Sequence, residues 1–145
     1  MSHQILLQSL TESAERVIRA AVAATPLPAP EWSPQTILGH LADVDEQVWH
    51  ARVRLMLAAH RAGEGIPTFV SWEPDAEGTT LRYSACTVLE AAEMFRAARA
   101  SLVEELSSLT DAEWLAGARH SVWGVVDVAA LLEHSLGHDD EHIPD

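Results

Sequence analysis

The sequence predicts an all-α fold, a four-helix bundle with a long crossover connection between helices two and three. Four long segments place apolar residues at three-and-four spacing, their ends carry clear cap and breaker signals, and strand-like alternation is nearly absent. At 145 residues the whole chain, 1–145, reads as a single domain with a sizeable core.

The first helix spans about residues 2–24 and stops before Pro26, Pro28 and Pro30, which cannot continue it. The second has the sharpest start. Ser33 can cap, Pro34 suits the first helical position, and Trp32 and Ile37 occupy the two positions of a hydrophobic staple. It continues to about Arg61 and ends at Gly63. The stretch from about Gly63 to Ala85 reads as the crossover loop, rich in Gly, Pro and acidic residues but also holding Phe69, Trp72 and Tyr83.

Thr87-Val88-Leu89-Glu90 is a capping-box pattern that opens the third helix, which runs to about Leu106. Thr110 to Glu113 repeats that pattern ahead of a short helical turn carrying Trp114. The fourth helix begins near Asp127 and reaches at least His142.

Charge narrows the function. Twenty-two acids face nine bases, all arginine, for a formal charge of -13. Such a chain repels a phosphate backbone, so nucleic acid is not expected as a partner. No apolar run is long enough to span a bilayer, so no membrane partner is expected either. The single cysteine, Cys86, allows no internal disulfide, and Met-Ser-His-Gln does not begin a signal peptide; both favour a cytoplasmic protein.

The chemistry concentrates in histidine, of which there are eight. His134, His138 and His142 stand four apart, and residues at that spacing project from nearly one helix face. Two pairs are open, 134 with 138 and 138 with 142. At about 100° per residue His142 lies nearest the apolar face of Val128, Leu131, Leu132, Leu136 and Ile143. On the same wheel His138 is about 40° further round and His134 about 80°. The wheel therefore favours His138 with His142 facing inward, and keeps His134 with His138 as the fallback.

In helix two, His40 sits at the margin of the face of Ile37, Leu41, Val44 and Val48, whereas His50 falls on the opposite, solvent side. Three neutral imidazoles from two helices would hold a metal ion with coordination positions to spare. Asp43 and Asp139 are candidate acceptors that orient those rings. Each feature also has a plainer reading: His40 as a hydrogen-bonded core residue, and the helix-four cluster as a solvated C-terminus complementing the helix dipole.

Trp32-Ser33-Pro34-x-x-x-Leu38-x-His40-Leu41-x-Asp43 resembles the second-helix signature of the DinB-like superfamily of bacterial metal-binding bundles. The stretch from Val128 through Leu131, Leu132, His134, His138, Asp139 and His142 to Ile143 resembles its closing motif. The resemblance implies an up-down-down-up bundle, often a homodimer, with nickel or zinc held by His40, His138 and His142. It also implies a small-molecule substrate. Activities in that class include thiol-S-transfer with bacillithiol, mycothiol or glutathione, as well as isomerisation and hydrolysis.

The expected function is therefore that of a metal-dependent enzyme, transferring a low-molecular-weight thiol to an electrophile or performing metal-assisted hydrolysis. The alternative is a non-catalytic bundle: a metal- or ligand-binding module, or a dimeric stress protein. Arg52, Arg54 and Arg82 are candidates to meet a thiol cofactor's carboxylates, with nothing to single one out. Cys86 reads as a small packed residue rather than a nucleophile. Trp49, Trp114 and Trp123 read as core or interface aromatics, while Trp72 and Phe69 are candidates for a pocket mouth.

Overall fold

The computed structural model describes residues 2–24 and 32–143. Its elements are α1 (His3–Ala23), α2 (Pro34–Val44), a π-helical segment (Asp45–His50), α3 (Ala51–Ala62), β1 (Thr68–Phe69), α4 (Ala76–Tyr83), α5 (Val88–Ser107), α6 (Asp111–Trp114), β2 (Gly117–His120), β3 (Gly124–Asp127) and α7 (Val128–Glu141). The prolines expected to end the first helix, and Pro144, lie outside the described residues. No helix among the described residues is long and apolar enough to cross a membrane.

Helix ends follow their cap chemistry. Ser33 accepts from the Thr36 amide, Asp127 accepts from the Ala130 amide, and Thr87 and Thr110 both close full capping boxes. The α2 helix, the π segment and α3 form one continuous rod, which ends where Gly63 turns into the left-handed region at φ 66°.

Two apolar clusters fix the course of the four long helices. One joins Leu6 and Leu10 at the start of α1 to Val53 of α3, Leu106 near the end of α5, and Leu131 early in α7. The other joins Ile18 and Ala21 late in α1 to Leu38 early in α2, Ala91 early in α5, and Ile143 just beyond α7. The bundle therefore runs up-down-down-up. Its second and third helices are parallel, and a long crossover must carry the chain back along it.

That crossover is more ordered than its composition suggests. It contains β1 and α4, and β1 pairs in parallel with β2, which pairs antiparallel with β3. Strands of two to four residues are too short to show alternation in sequence. The hairpin depends on Gly124, whose φ of 75° closes a three-residue turn after His120. Close packing holds α4 in place, since a Cβ on Gly39 would sit 2.2 Å from the Tyr83 ring. Tyr83 donates its hydroxyl to Asp43 at 2.5 Å.

His50 departs from expectation. It is buried, with Nε2 2.5 Å from Glu105 Oε1. The wheel assumed an unbroken α-helix, but the π segment inserts extra residue per turn and rotates His50 inward.

A polar layer separates the two apolar clusters. Arg99 of α5, 2% exposed, uses all five of its N–H donors there. Nε and Nη2 donate to Asp45 at 2.7 and 3.1 Å, Nη1 and Nη2 each donate to Asp139 at 2.9 Å, and Nη1 also donates to Leu10 O at 2.8 Å. Ser13 adds its hydroxyl to Asp139 at 2.8 Å. All four long helices thus meet at one guanidinium. Burial pushes the Asp45 carboxyl above its ordinary range, against the pull of Arg99, and the nearby Asp139 carboxylate adds to it.

Breaking such a layer from one side strands buried charge. Arg99→Met should lower unfolding stability by about 3–5 kcal/mol in urea titrations. A loss below about 1 kcal/mol would show that the layer does not hold the helices together.

Candidate metal centre

His40 lies in the second turn of α2, His138 in the last turn of α7, and His142 at the C-cap of α7. They reach the same end of the bundle because α2 starts there and α7 finishes there. One nitrogen from each of the three rings lies within 4.8 Å of the others. Ring centroids are separated by 5.4 Å for His40–His138, 4.9 Å for His40–His142 and 4.7 Å for His138–His142. Nitrogens around a tetrahedral zinc lie roughly 3.4 Å apart, so small side-chain rotations would close the set.

Electrostatics keep these rings neutral. Burial, with the neighbouring His142 and His138 adding to it, drops the His40 pKa from its ordinary 6.5 to about 4. Burial also lowers His138 and His142. Neutral imidazole is the form that binds a metal. In addition, Nδ1 of His40 and Nδ1 of His138 are buried without any hydrogen-bond partner. Unpartnered buried nitrogens on neutral rings suit ligation better than a hydrogen-bonded core role, so this donor set fits a divalent ion such as nickel or zinc.

The candidate ring-orienting carboxylates are engaged elsewhere. Asp43 accepts from Arg82 Nη2 at 2.8 Å and from the Tyr83 hydroxyl, and Asp139 accepts from Arg99 and Ser13. Neither is bonded to an imidazole. Charged donors outcompete a neutral ring N–H, and a residue adjacent to His138 points about 100° away around the helix, into the core. Asp139 therefore sets the rotation of α7 and not the tilt of one ring.

The fallback, His134, stands outside the trio. It is exposed and stacks on Trp123 at 3.7 Å, which in turn stacks on His120 at 3.8 Å. Beside the trio opens a cavity of about 420 Å³, with Trp49, Arg52, Trp72, His120, Trp123 and His138 in its wall. Trp72 lies 6.2 Å from the His40 ring and Trp32 lies 4.9 Å from it, so indoles flank the histidines. Phe69 is buried beneath Arg52 and does not stand at the mouth.

Trp49 and Trp123 also belong to this wall, while Trp114 is a buried core residue stacked on His3 at 4.0 Å. Sequence reading missed His120. Its signal lay in the Trp123-Gly124 turn that follows, where the Val122 and Trp123 amides donate to His120 Nδ1 at 3.0 and 3.3 Å.

Fold and site together define a four-helix bundle built around a three-histidine cluster. The chain belongs to the DinB superfamily, whose family model matches residues 4–144. Among solved structures it is similar to YfiT from Bacillus subtilis, described as a probable metal-dependent hydrolase with an unusual four-helix bundle topology. The two share 18% identity and a TM-score of 0.74 over 99% of this chain and 84% of that one. No curated protein matches the sequence.

Lowered histidine pKa values make stability depend on pH. Between 6.5 and about 4, the unfolded chain binds a proton at His40 that the folded chain refuses, so stability falls as pH drops through that window. The metal-free protein should lose about 2 kcal/mol by pH 5 from this group alone. Urea titrations of wild type and His40→Gln test this. The variant's stability should decline less steeply over that window; parallel curves would show that His40 is not held neutral.

Proposed function

We propose that this protein is a metal-dependent enzyme in which His40, His138 and His142 hold nickel or zinc beside a small-molecule substrate. The observation that carries this reading is the convergence of three neutral imidazoles on the edge of a cavity, with His138 belonging to both. Bound there, a divalent cation supplies Lewis acidity, which lowers the pKa of a thiol or water beside it.

The chain's own residues do the rest. The three neutral rings of His40, His138 and His142 would hold a divalent cation without adding negative charge to the site, so little of its electrophilicity would be offset. Trp32 and Trp72 flank His40 and limit water around it. Glu133 and Glu141 in the cavity wall favour a cation nearby.

The single cysteine, the strongest nucleophile the chain could offer, is not at the centre. Cys86 is absent from the cavity wall and lies against Arg82 O, with Sγ 3.9 Å away. In this reading the attacking group is a low-molecular-weight thiol or water, acting on an electrophilic small molecule. Description of the similar Bacillus subtilis structure as a probable metal-dependent hydrolase supports the metal-assisted class. The single cysteine favours a cytoplasmic setting, and the proposal includes a homodimer on the family resemblance.

Metal content of untagged protein, read by mass spectrometry, tests this reading. About one nickel or zinc per chain is expected, lost in both His40→Ala and His138→Ala while the helical spectrum is unchanged. Absence of bound metal after incubation with either ion at about pH 7.5, where imidazoles are neutral, would contradict it.

A further inference from the structure

Arginines in this chain follow a pattern with one exception. Arg16, Arg54, Arg61, Arg82, Arg96 and Arg99 each pair with a carboxylate. Arg19 and Arg119 are exposed, where water solvates the charge. Arg52 is 8% exposed, yet among the described residues no carboxylate lies within 4 Å of it. Its Nη2 donates to Val70 O at 2.7 Å, and its guanidinium sits 5.9 Å from the Trp49 ring and 5.2 Å from the Phe69 ring. One carbonyl and two ring faces hold the group in place without neutralising it.

A buried cation lacking a counter-charge is costly to keep, and burial pulls the Arg52 pKa down accordingly. The same arginine lines the cavity beside the three-histidine centre. His120 stands in that wall too. Since its Nδ1 accepts from two backbone amides, the neutral ring carries its proton on Nε2 as a second donor.

We propose that Arg52 anchors the carboxylate of a flat monocarboxylic acid, laid against the indoles of the cavity wall with its far end toward His138. This rests on reading the cavity as the substrate chamber of the metal centre. A single negative charge is indicated because Glu133 and Glu141 share the wall and the chain carries -13, which disfavours a phosphate dianion. A flat body is indicated by the walls. Trp49 and Trp72 contribute indole surface, Trp49 lies nearly parallel to Trp123 at 6.2 Å, and the His120–Trp123–His134 stack, with interplanar angles of 13° and 6°, adds parallel rings to the same wall. Trp49 is near both ends, 5.9 Å from the Arg52 guanidinium and 6.3 Å from the His138 ring.

Calorimetric titration with 2-naphthoate and its neutral analogue 2-naphthamide tests the proposal, on metal-loaded and on metal-free protein. In both forms the acid should bind roughly ten- to a hundredfold more tightly than the amide. Arg52→Gln should abolish that preference without changing metal content, and Arg52→Lys should keep part of it. Because the preference is read without metal as well, its failure is separable from failure of the metal reading. Equal binding of acid and amide to wild type, no binding of either, or an Arg52→Gln variant that retains the preference would each overturn the assignment.

Discussion

The buried guanidinium of Arg99 is the constraint from which the remaining geometry follows. Its five donors reach Asp45, Asp139 and the Leu10 carbonyl, so the rotation and the height of all four long helices are set against one planar group. Apolar clusters above and below supply burial, which is non-directional and would tolerate sliding or rotation of one helix on another. Hydrogen bonds to a planar fork tolerate neither. A layer of this kind gains little net stability over a well-packed apolar one, because desolvation offsets most of the attraction; what it adds here is registration.

Registration matters because the candidate metal centre is assembled from two helices. Asp139 directly follows His138 and precedes His142 by three residues, so fixing Asp139 on Arg99 fixes where both imidazoles point. Asp45 lies five residues beyond His40 on the same continuous rod, and its bond to Arg99 locates that rod in turn. The π segment begins at Asp45, and its wider turn brings Trp49 and Arg52 into the cavity wall. The crossover and the hairpin complete the enclosure by delivering Trp72, His120 and Trp123.

Much of this was legible in the sequence, for identifiable reasons. Caps at Ser33, Thr87, Thr110 and Asp127 are local hydrogen-bond chemistry, so they mark helix starts whatever the tertiary context. The spacing of His138 and His142 and the wheel position of His40 depend only on helical geometry, and the fold brings those three rings together. Legibility ended where geometry ceased to be ideal or partners were remote. His50 was misplaced because i→i+5 bonding changes the angle per residue. Asp43 and Asp139 were assigned to nearby histidines, whereas their partners are arginines 39 and 40 residues away. Arg52 could not be singled out among nine arginines until the pairing of the others was known.

The most direct test of the account is the position of a metal in the folded chain, measured by anomalous diffraction from nickel-loaded crystals. A single strong peak bounded by His40, His138 and His142, with Arg99 bridging Asp45 and Asp139 behind it, is the predicted result. A peak held by His134 and His138, or nickel only at surface carboxylates, would contradict the claim that one buried arginine sets up a three-histidine centre.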